Sequence, residues 1–354
     1  MIDLADRVRG CLLGGAVGDA LGAGVEFSSL EEIRATHGPD GLTSILPPGH
    51  FTDDTQMTLF TVEALLIAGV LLERDGFCNP IELLHHAYLR WLVTQSVPLP
   101  SVTIGEAEPL GWLLDVEMLH RREAPGMTCL SALASGEFGT PSRSINDSKG
   151  CGGVMRAAPG GLLVPGSVPG ASPEEAYHLG CEIAAVTHGH PDGIDPSGAL
   201  SAMICVLVSG ASMREAIDSA IELSPVRQQR WLRHAAEIGA DGPPSPEVIE
   251  RELGAGWVGD EALAIAVACA VGAQSFDEGI IAATNHSGDA DSTAAICGNL
   301  LGAHLGLGAI GPGWLEELDG VDVVAAAADD VIEWLERTQG CSAEFNRRYG
   351  SLEV

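Results

Sequence analysis

Apolar residues in this chain come in long blocks rather than in alternation. The stretches Met57 to Leu72, Ile81 to Val93, Glu174 to Val186, Ala199 to Val208, Ala262 to Gly272, Ser292 to Leu305 and Val323 to Arg337 are each rich in Ala and Leu. Strands usually stop at roughly 4–8 residues, so blocks of this length predict buried helices. Strict period-two alternation is scarce, and the pattern predicts an all-α protein.

A further helix is predicted from Ala5 to about Leu21, with Gly10, Gly14, Gly18 and Gly22 at every fourth position. At helical pitch these glycines share one face, so another backbone can come very close. Tight core packing is the reading of that face. The connections 36–51, 95–111, 134–153, 161–173, 187–198 and 239–260 are long and rich in Gly, Pro, Ser and Asp. Long irregular segments in a compact domain often carry function. No fixed repeat is visible, and none of these segments separates regions of different composition. Residues 1–354 are therefore expected to form a single domain, with Gly242-Pro-Pro-Ser-Pro246 as a surface excursion.

Charge narrows the functional classes. Lys and Arg number 18 against 49 Asp and Glu, a net charge of −31. A surface this acidic repels phosphate backbones, so no nucleic-acid or anionic-membrane partner is expected. The sole lysine, Lys149, is followed by Gly150, so a P-loop Gly-Lys-Ser/Thr is absent. Nine scattered cysteines, with no Cys-x-x-Cys, suggest reduced buried thiols rather than a disulfide framework or zinc site. The first residues lack the basic charge of a signal peptide, and apolar runs such as 262–273 fall short of the ~20 residues that span a bilayer. A soluble, cytoplasmic monomer is the expectation.

The strongest chemistry lies in two acidic clusters far apart in the chain. Thr52-Asp53-Asp54-Thr55 precedes one apolar helix, and Gly288-Asp289-Ala-Asp291-Ser292-Thr293 precedes another. Helix capping alone explains one such side chain per helix, since Asp, Ser and Thr are favoured at N-termini. Four clustered carboxylates beside apolar helices repel one another unless cations neutralise them, and hard oxygen donors suit Mg²⁺, Mn²⁺ or Ca²⁺. Three metal-dependent arrangements compete. A prenyl-synthase DDxxD fails because Met57 stands at its last position. Asp289-x-Asp291-x-Thr293 formally fits the phosphatase DxDxT but lacks a preceding strand and a later lysine. The third arrangement is a two-metal site shared by both clusters. Gly306-x-Gly308-x-x-Gly311 satisfies GxGxxG but follows a helix, and is set aside.

Together, Gly14-Gly-Ala-Val-Gly18-Asp19-Ala-Leu-Gly22, Phe51 to Thr55, Gly150-Cys-Gly-Gly-Val-Met-Arg156, Thr187-His188 and Gly288 to Thr293 resemble the ADP-ribosylglycohydrolase family. The motifs match in order over most of the chain. The resemblance implies an orthogonal helical bundle with two Mg²⁺ or Mn²⁺ in an ADP-ribose cleft. It implies metal ligation by Thr52, Asp53, Asp54, Asp289, Asp291 and Ser292, with Asp54 also catalytic. It implies an acid/base or gating carboxylate at Glu26, in a mobile loop after the glycine helix. Glycosidic cleavage needs a proton donor at the leaving group, which suits that role.

Ser148, Lys149, Gly150, Cys151, Gly152 and Gly153 read as a substrate loop, whose glycine amides could form an anion nest. The family pattern has Asn where Cys151 stands. The matched Thr-His pair implies that His188 contacts phosphate or ribose, whereas His190 has no such support. The expected function is metal-dependent release of ADP-ribose from a modified protein side chain or small acceptor. A silent ADP-ribose binder and a Mg²⁺-dependent phosphohydrolase are the alternatives. The linkage stays open, because Thr103 stands where arginine-type relatives often carry Asp.

Overall fold

The computed structural model describes residues 2–100, 111–166, 171–338 and 340–352. Helix makes up 66% of the described residues, as seventeen α-helices and five short 3-10 helices, and those residues contain no strand. In order they are α1 (Leu4–Gly22), α2 (Leu30–His37), α3 (Asp53–Asp75), α4 (Pro80–Thr94), α5 (Met127–Ala134), α6 (Pro159–Leu162), α7 (Pro173–Ala185) and α8 (Pro191–Val208). The chain continues through α9 (Met213–Leu223), α10 (Val226–Ile238), α11 (Pro246–Glu252), α12 (Gly259–Gly272), α13 (Phe276–Thr284) and α14 (Ala290–Leu305). It ends with α15 (Pro312–Glu317), α16 (Val321–Glu336) and α17 (Ala343–Tyr349). The all-α expectation holds. Local rules set many of the starts: Ser29, Ser172 and Ser212 form capping boxes with Glu32, Glu175 and Glu215.

Each apolar block lies within a helix to within one residue, but two expected loops differ. Residues 187–198 hold the start of α8, where His190 caps the helix and Pro191 takes the first turn, a position proline favours. Residues 239–260 hold α11, because Pro246 again opens a helix. The Gly242–Pro246 excursion is pinned down: a side chain on Gly272 of α12 would overlap Gly242 and Pro243. All nine cysteines are free thiols, and Cys78, Cys151 and Cys341 are only half-buried. Among the described residues one helix, α3, is long and apolar enough to cross a membrane, yet 89% of its apolar window is buried inside the fold.

The central contact is between α1 and α14, which run antiparallel. An added methyl at Gly10, Gly14, Gly18 or Gly22 would overlap the carbonyl of Gly302, Gly298, Ala294 or Ala290, respectively. Gly298 and Gly302 meet Gly14 and Gly10 in return. Asn299 fills the remaining notch, donating to the Cys11 carbonyl at 2.8 Å. The glycine face predicted from spacing is thus a backbone-to-backbone seam. It brings the C-terminal end of α1 against the N-terminal end of α14, where the second acidic cluster stands.

Candidate active site

Three chain segments meet at that junction: the turn after α1 with Glu26, the start of α3 with Asp53 and Asp54, and the start of α14 with Asp289, Asp291 and Ser292. Asp19, near the end of α1, sets the first cluster. One of its oxygens accepts from the Thr52 amide and hydroxyl, both at 2.9 Å. The other accepts from the Thr55 amide at 2.9 Å and the Thr55 hydroxyl at 2.5 Å. With Thr52 and Thr55 clamped this way, Thr52 caps α3 through the Asp54 amide at 3.3 Å. The cap is therefore a threonine, and neither Asp53 nor Asp54 is needed for it.

At α14 the same holds. Asp289 occupies the cap position but makes no side-chain cap bond. Its Oδ2 instead accepts from the Cys151 thiol at 2.6 Å. Carboxylate oxygens of Glu26, Asp289 and Asp291 lie within 4.8 Å of one another. Capping does not account for these acids.

The site pushes their protonation upward. Burial, then Asp291, Asp289 and Asp53, raise Glu26 to about 10. Burial raises Asp53 to about 8, opposed by the Gly126 amide that donates to it at 3.0 Å. Burial and like charge hold Asp54 and Asp289 well above the ordinary carboxylate range. Asp19 rises to about 7, first through burial and then through Asp291. Arg156 is fully buried but bonds elsewhere, to Thr187 Oγ1 at 2.7 Å and the Ile183 carbonyl at 3.2 Å, with its guanidinium over the Tyr88 ring. It helps Asp53 only through space.

The donor set fits divalent cations. Asp54 is 2% exposed, and its Oδ1 has no partner. A buried, bare carboxylate oxygen among like charges is costly unless a cation meets it. The oxygens are hard donors of the kind Mg²⁺ and Mn²⁺ prefer, with one sulfur, Cys151, at the edge.

A cleft of about 340 Å³ opens over this cluster. Glu26, Asp53, Asp54, Asp289, Asp291 and Ser292 form its floor, and Gly150, Cys151, Gly152 and His188 form one wall. Thr52, Ser148, Lys149 and Gly153 are not among its walls. Lys149 is exposed, while its carbonyl accepts from the Gly259 amide at 3.0 Å. The Cys151 amide donates to the Trp257 carbonyl at 3.2 Å, and the Gly150 amide faces Ser148 Oγ at 3.5 Å. These amides therefore have protein acceptors, and the loop is anchored to the start of α12.

His188 is buried behind the loop and held neutral, its pKa lowered to about 3 by burial and then by Arg156. Arg156 donates to Thr187 Oγ1, which leaves the threonine hydroxyl hydrogen for His188 Nδ1 at 2.9 Å. With the hydroxyl as donor to Nδ1, the ring hydrogen is on Nε2. His190 has a separate task, accepting the Asp192 amide at 3.0 Å as the cap of α8.

Other cleft residues carried no signal in the chain. The segment Ala124–Cys129 also lines the cleft, next to the glycine loop: Thr128 Oγ1 lies 2.9 Å from Ser148 Oγ. Phe27 and Trp257, 70% and 40% exposed, stack at 5.4 Å between ring centres at the cleft edge. Asp19 was detectable in principle, as a lone acid inside an apolar, glycine-rich helix. Thr103 lies outside the described residues.

Comparisons with known proteins place the chain among similar sequences and folds. Over 325 residues the chain is 31% identical to an uncharacterised protein of Archaeoglobus fulgidus, covering 89% of this chain and 92% of that one. It is 28% identical to the ADP-ribosyl-[dinitrogen reductase] glycohydrolase of Rhodospirillum rubrum, covering 89% and 90%. It is 26% identical to an ADP-ribosylarginine hydrolase of Pseudomonas putida, covering 88% and 74%. A solved structure described as an ADP-ribosylglycohydrolase-related protein complex superposes with a TM-score of 0.61 at 26% identity, over 95% of this chain and all of that one. The ADP-ribosylglycohydrolase family model matches residues 1–341, so the chain that folds its acids together in this way belongs to the ADP-ribosylglycohydrolase family.

Proposed function

We propose that this protein is a divalent-metal-dependent hydrolase that cleaves the glycosidic bond between ADP-ribose and a modified protein side chain, releasing ADP-ribose. The observation that carries the reading is the meeting of Glu26, Asp289 and Asp291 within 4.8 Å in a cleft that also holds Asp53 and Asp54. Thr52, Asp53, Asp54, Asp289, Asp291 and Ser292 would hold two Mg²⁺ or Mn²⁺. Thr52 would use an oxygen lone pair, since its hydroxyl hydrogen goes to Asp19. Such ions supply polarisation of the distal ribose hydroxyls and of a water.

The chain's own groups do the rest. Glu26, with a raised affinity for its proton, suits proton donation to the leaving group. Asp54, with its bare Oδ1, orients what enters the floor of the cleft. His188 offers a neutral Nε2–H donor to a phosphate or ribose oxygen, and the Gly150–Gly152 wall admits a backbone-close diphosphate.

The named relatives make the arginine linkage the first to test. Purified protein with Mg²⁺ or Mn²⁺ is given arginine-, serine- and phosphate-linked ADP-ribose, and products are identified by mass spectrometry. Free ADP-ribose is expected, and the substrate that yields it assigns the linkage. AMP or inorganic phosphate would instead indicate a phosphohydrolase. ADP-ribose binding without any product would make the protein a silent binder.

A further inference from the structure

We propose that Cys151 gives the carboxylate cluster a sulfur ligand, so that the cleft takes a thiophilic divalent cation, of the Zn²⁺ or Cd²⁺ type, in competition with Mg²⁺ or Mn²⁺. This rests on the reading of the cluster as a divalent-cation site. The Cys151 thiol donates to Asp289 Oδ2 at 2.6 Å, so the sulfur stands beside a carboxylate of the cluster. Asp289 in turn is grouped with Glu26 and Asp291. Independently of the cysteine, the buried Asp54 Oδ1 in the same cleft lacks any partner and calls for a cation.

The other cleft thiol is differently employed. Cys129 receives the Arg156 guanidinium at 3.3 Å and faces the Gly152 carbonyl at 3.9 Å. Backbone bonds fix Cys151 in place: its amide is held by Trp257 at 3.2 Å and its carbonyl accepts the Val154 amide at 2.9 Å. The backbone thus holds the sulfur beside the acids, and a side-chain rotation that parts it from Asp289 lets both face one ion.

Hard carboxylates and a soft sulfur rank metals differently. Oxygen donors alone favour Mg²⁺ and Mn²⁺, while a thiolate adds affinity for Zn²⁺ and other thiophilic ions. As the sulfur–metal bond forms, the S–H bond breaks, and its proton leaves through Asp289 to solvent. No electron is transferred, and the thiol proton adds to those the carboxylates give up when the ion binds.

The test titrates the metal-free protein with Co²⁺. A near-ultraviolet sulfur-to-cobalt charge-transfer band is expected in the wild type and in Cys129→Ser. Cys151→Ser keeps the hydrogen-bonding shape and the carboxylates, so it should still take up Co²⁺ and Mn²⁺, but without the band. The concentration of Cd²⁺ that displaces Mn²⁺ should rise about tenfold or more in Cys151→Ser. A band of equal strength in Cys151→Ser, or Co²⁺ uptake by the wild type with no band, would overturn the assignment. If Mn²⁺ supports ADP-ribose release while the band is missing, the sulfur ligand falls and the hydrolase stands. If no divalent cation binds at all, both fall.

Discussion

Single carboxylates decide most of what this site can do, and Glu26 separates chemistry from binding. Glu26→Gln keeps the size of the side chain but removes proton transfer. Turnover should fall by about 10²–10⁴-fold, while affinity for free ADP-ribose, measured by calorimetry on the same sample, should change far less. Unchanged turnover would make Glu26 an ordinary residue of the cleft rim. Asp54→Ala and Asp289→Ala should each lose bound metal by elemental analysis, since each removes a charged ligand the others cannot replace. Full metal content in both variants would show the ions to be held elsewhere. The acids at 53, 54, 289 and 291 were legible because they stand in pairs at helix starts, beyond what capping requires. Glu26 was legible only through the family resemblance. Asp19 went unnoticed as a support because its four hydrogen bonds come from residues 52 and 55, a pairing that only the fold creates. The thiol contact at Asp289 has no local signature either, as it joins positions 138 residues apart.

Among the helices, the seam between α1 and α14 has the least room for change. A methyl at Gly18 would meet the Ala294 carbonyl, which belongs to rigid backbone rather than a yielding side chain. Gly18→Ala gains about 0.5–1 kcal/mol of helix propensity, but forced separation of packed elements costs about 1–3 kcal/mol or more. The expected result is a net loss of stability in urea unfolding. Gly308→Ala, with nothing near the added methyl, should be close to neutral. Equal behaviour of the two variants would refute the seam. Helices built from continuous apolar blocks were readable because their length excludes strands. The amphipathic α9 and α10 were not among them: their apolar positions are separated by charged ones, such as Arg214, Asp218, Arg230 and Arg233, so no block forms. Recognising them takes periodicity at helical pitch rather than run length. The start of α8 was hidden by the opposite problem, since Pro, Asp and Gly in its first turns mimic a loop.

At the scale of the whole molecule, excess negative charge meets a core that already holds buried acids. Asp19 and Asp53 titrate at about 7 and about 8 in the fold, against 3.8 ordinarily. Between those limits the folded protein keeps protons that the unfolded chain has released. The resulting stability is fully present below the ordinary value and is lost as pH rises through about 7–8. With a chelator present, the melting temperature should therefore fall between about pH 4 and about pH 8. Added Mn²⁺ should shrink that fall, because the cation replaces the protons as counter-charge. A flat profile with chelator would place the carboxylates in a wetter setting than this fold gives them. The α1–α14 seam also has a consequence for how the protein is made. Its partners sit near opposite ends of the chain, with Arg7 reaching a carbonyl 296 residues away. At roughly 5–20 residues per second, a ribosome needs on the order of tens of seconds to supply α14 after α1 has emerged. Throughout that interval the nascent glycine face has no backbone to meet, and half of the acidic pocket does not yet exist. The acidic pocket of newly made protein is therefore complete only near the end of translation, and until then the glycine face of α1 lacks the backbone it packs against.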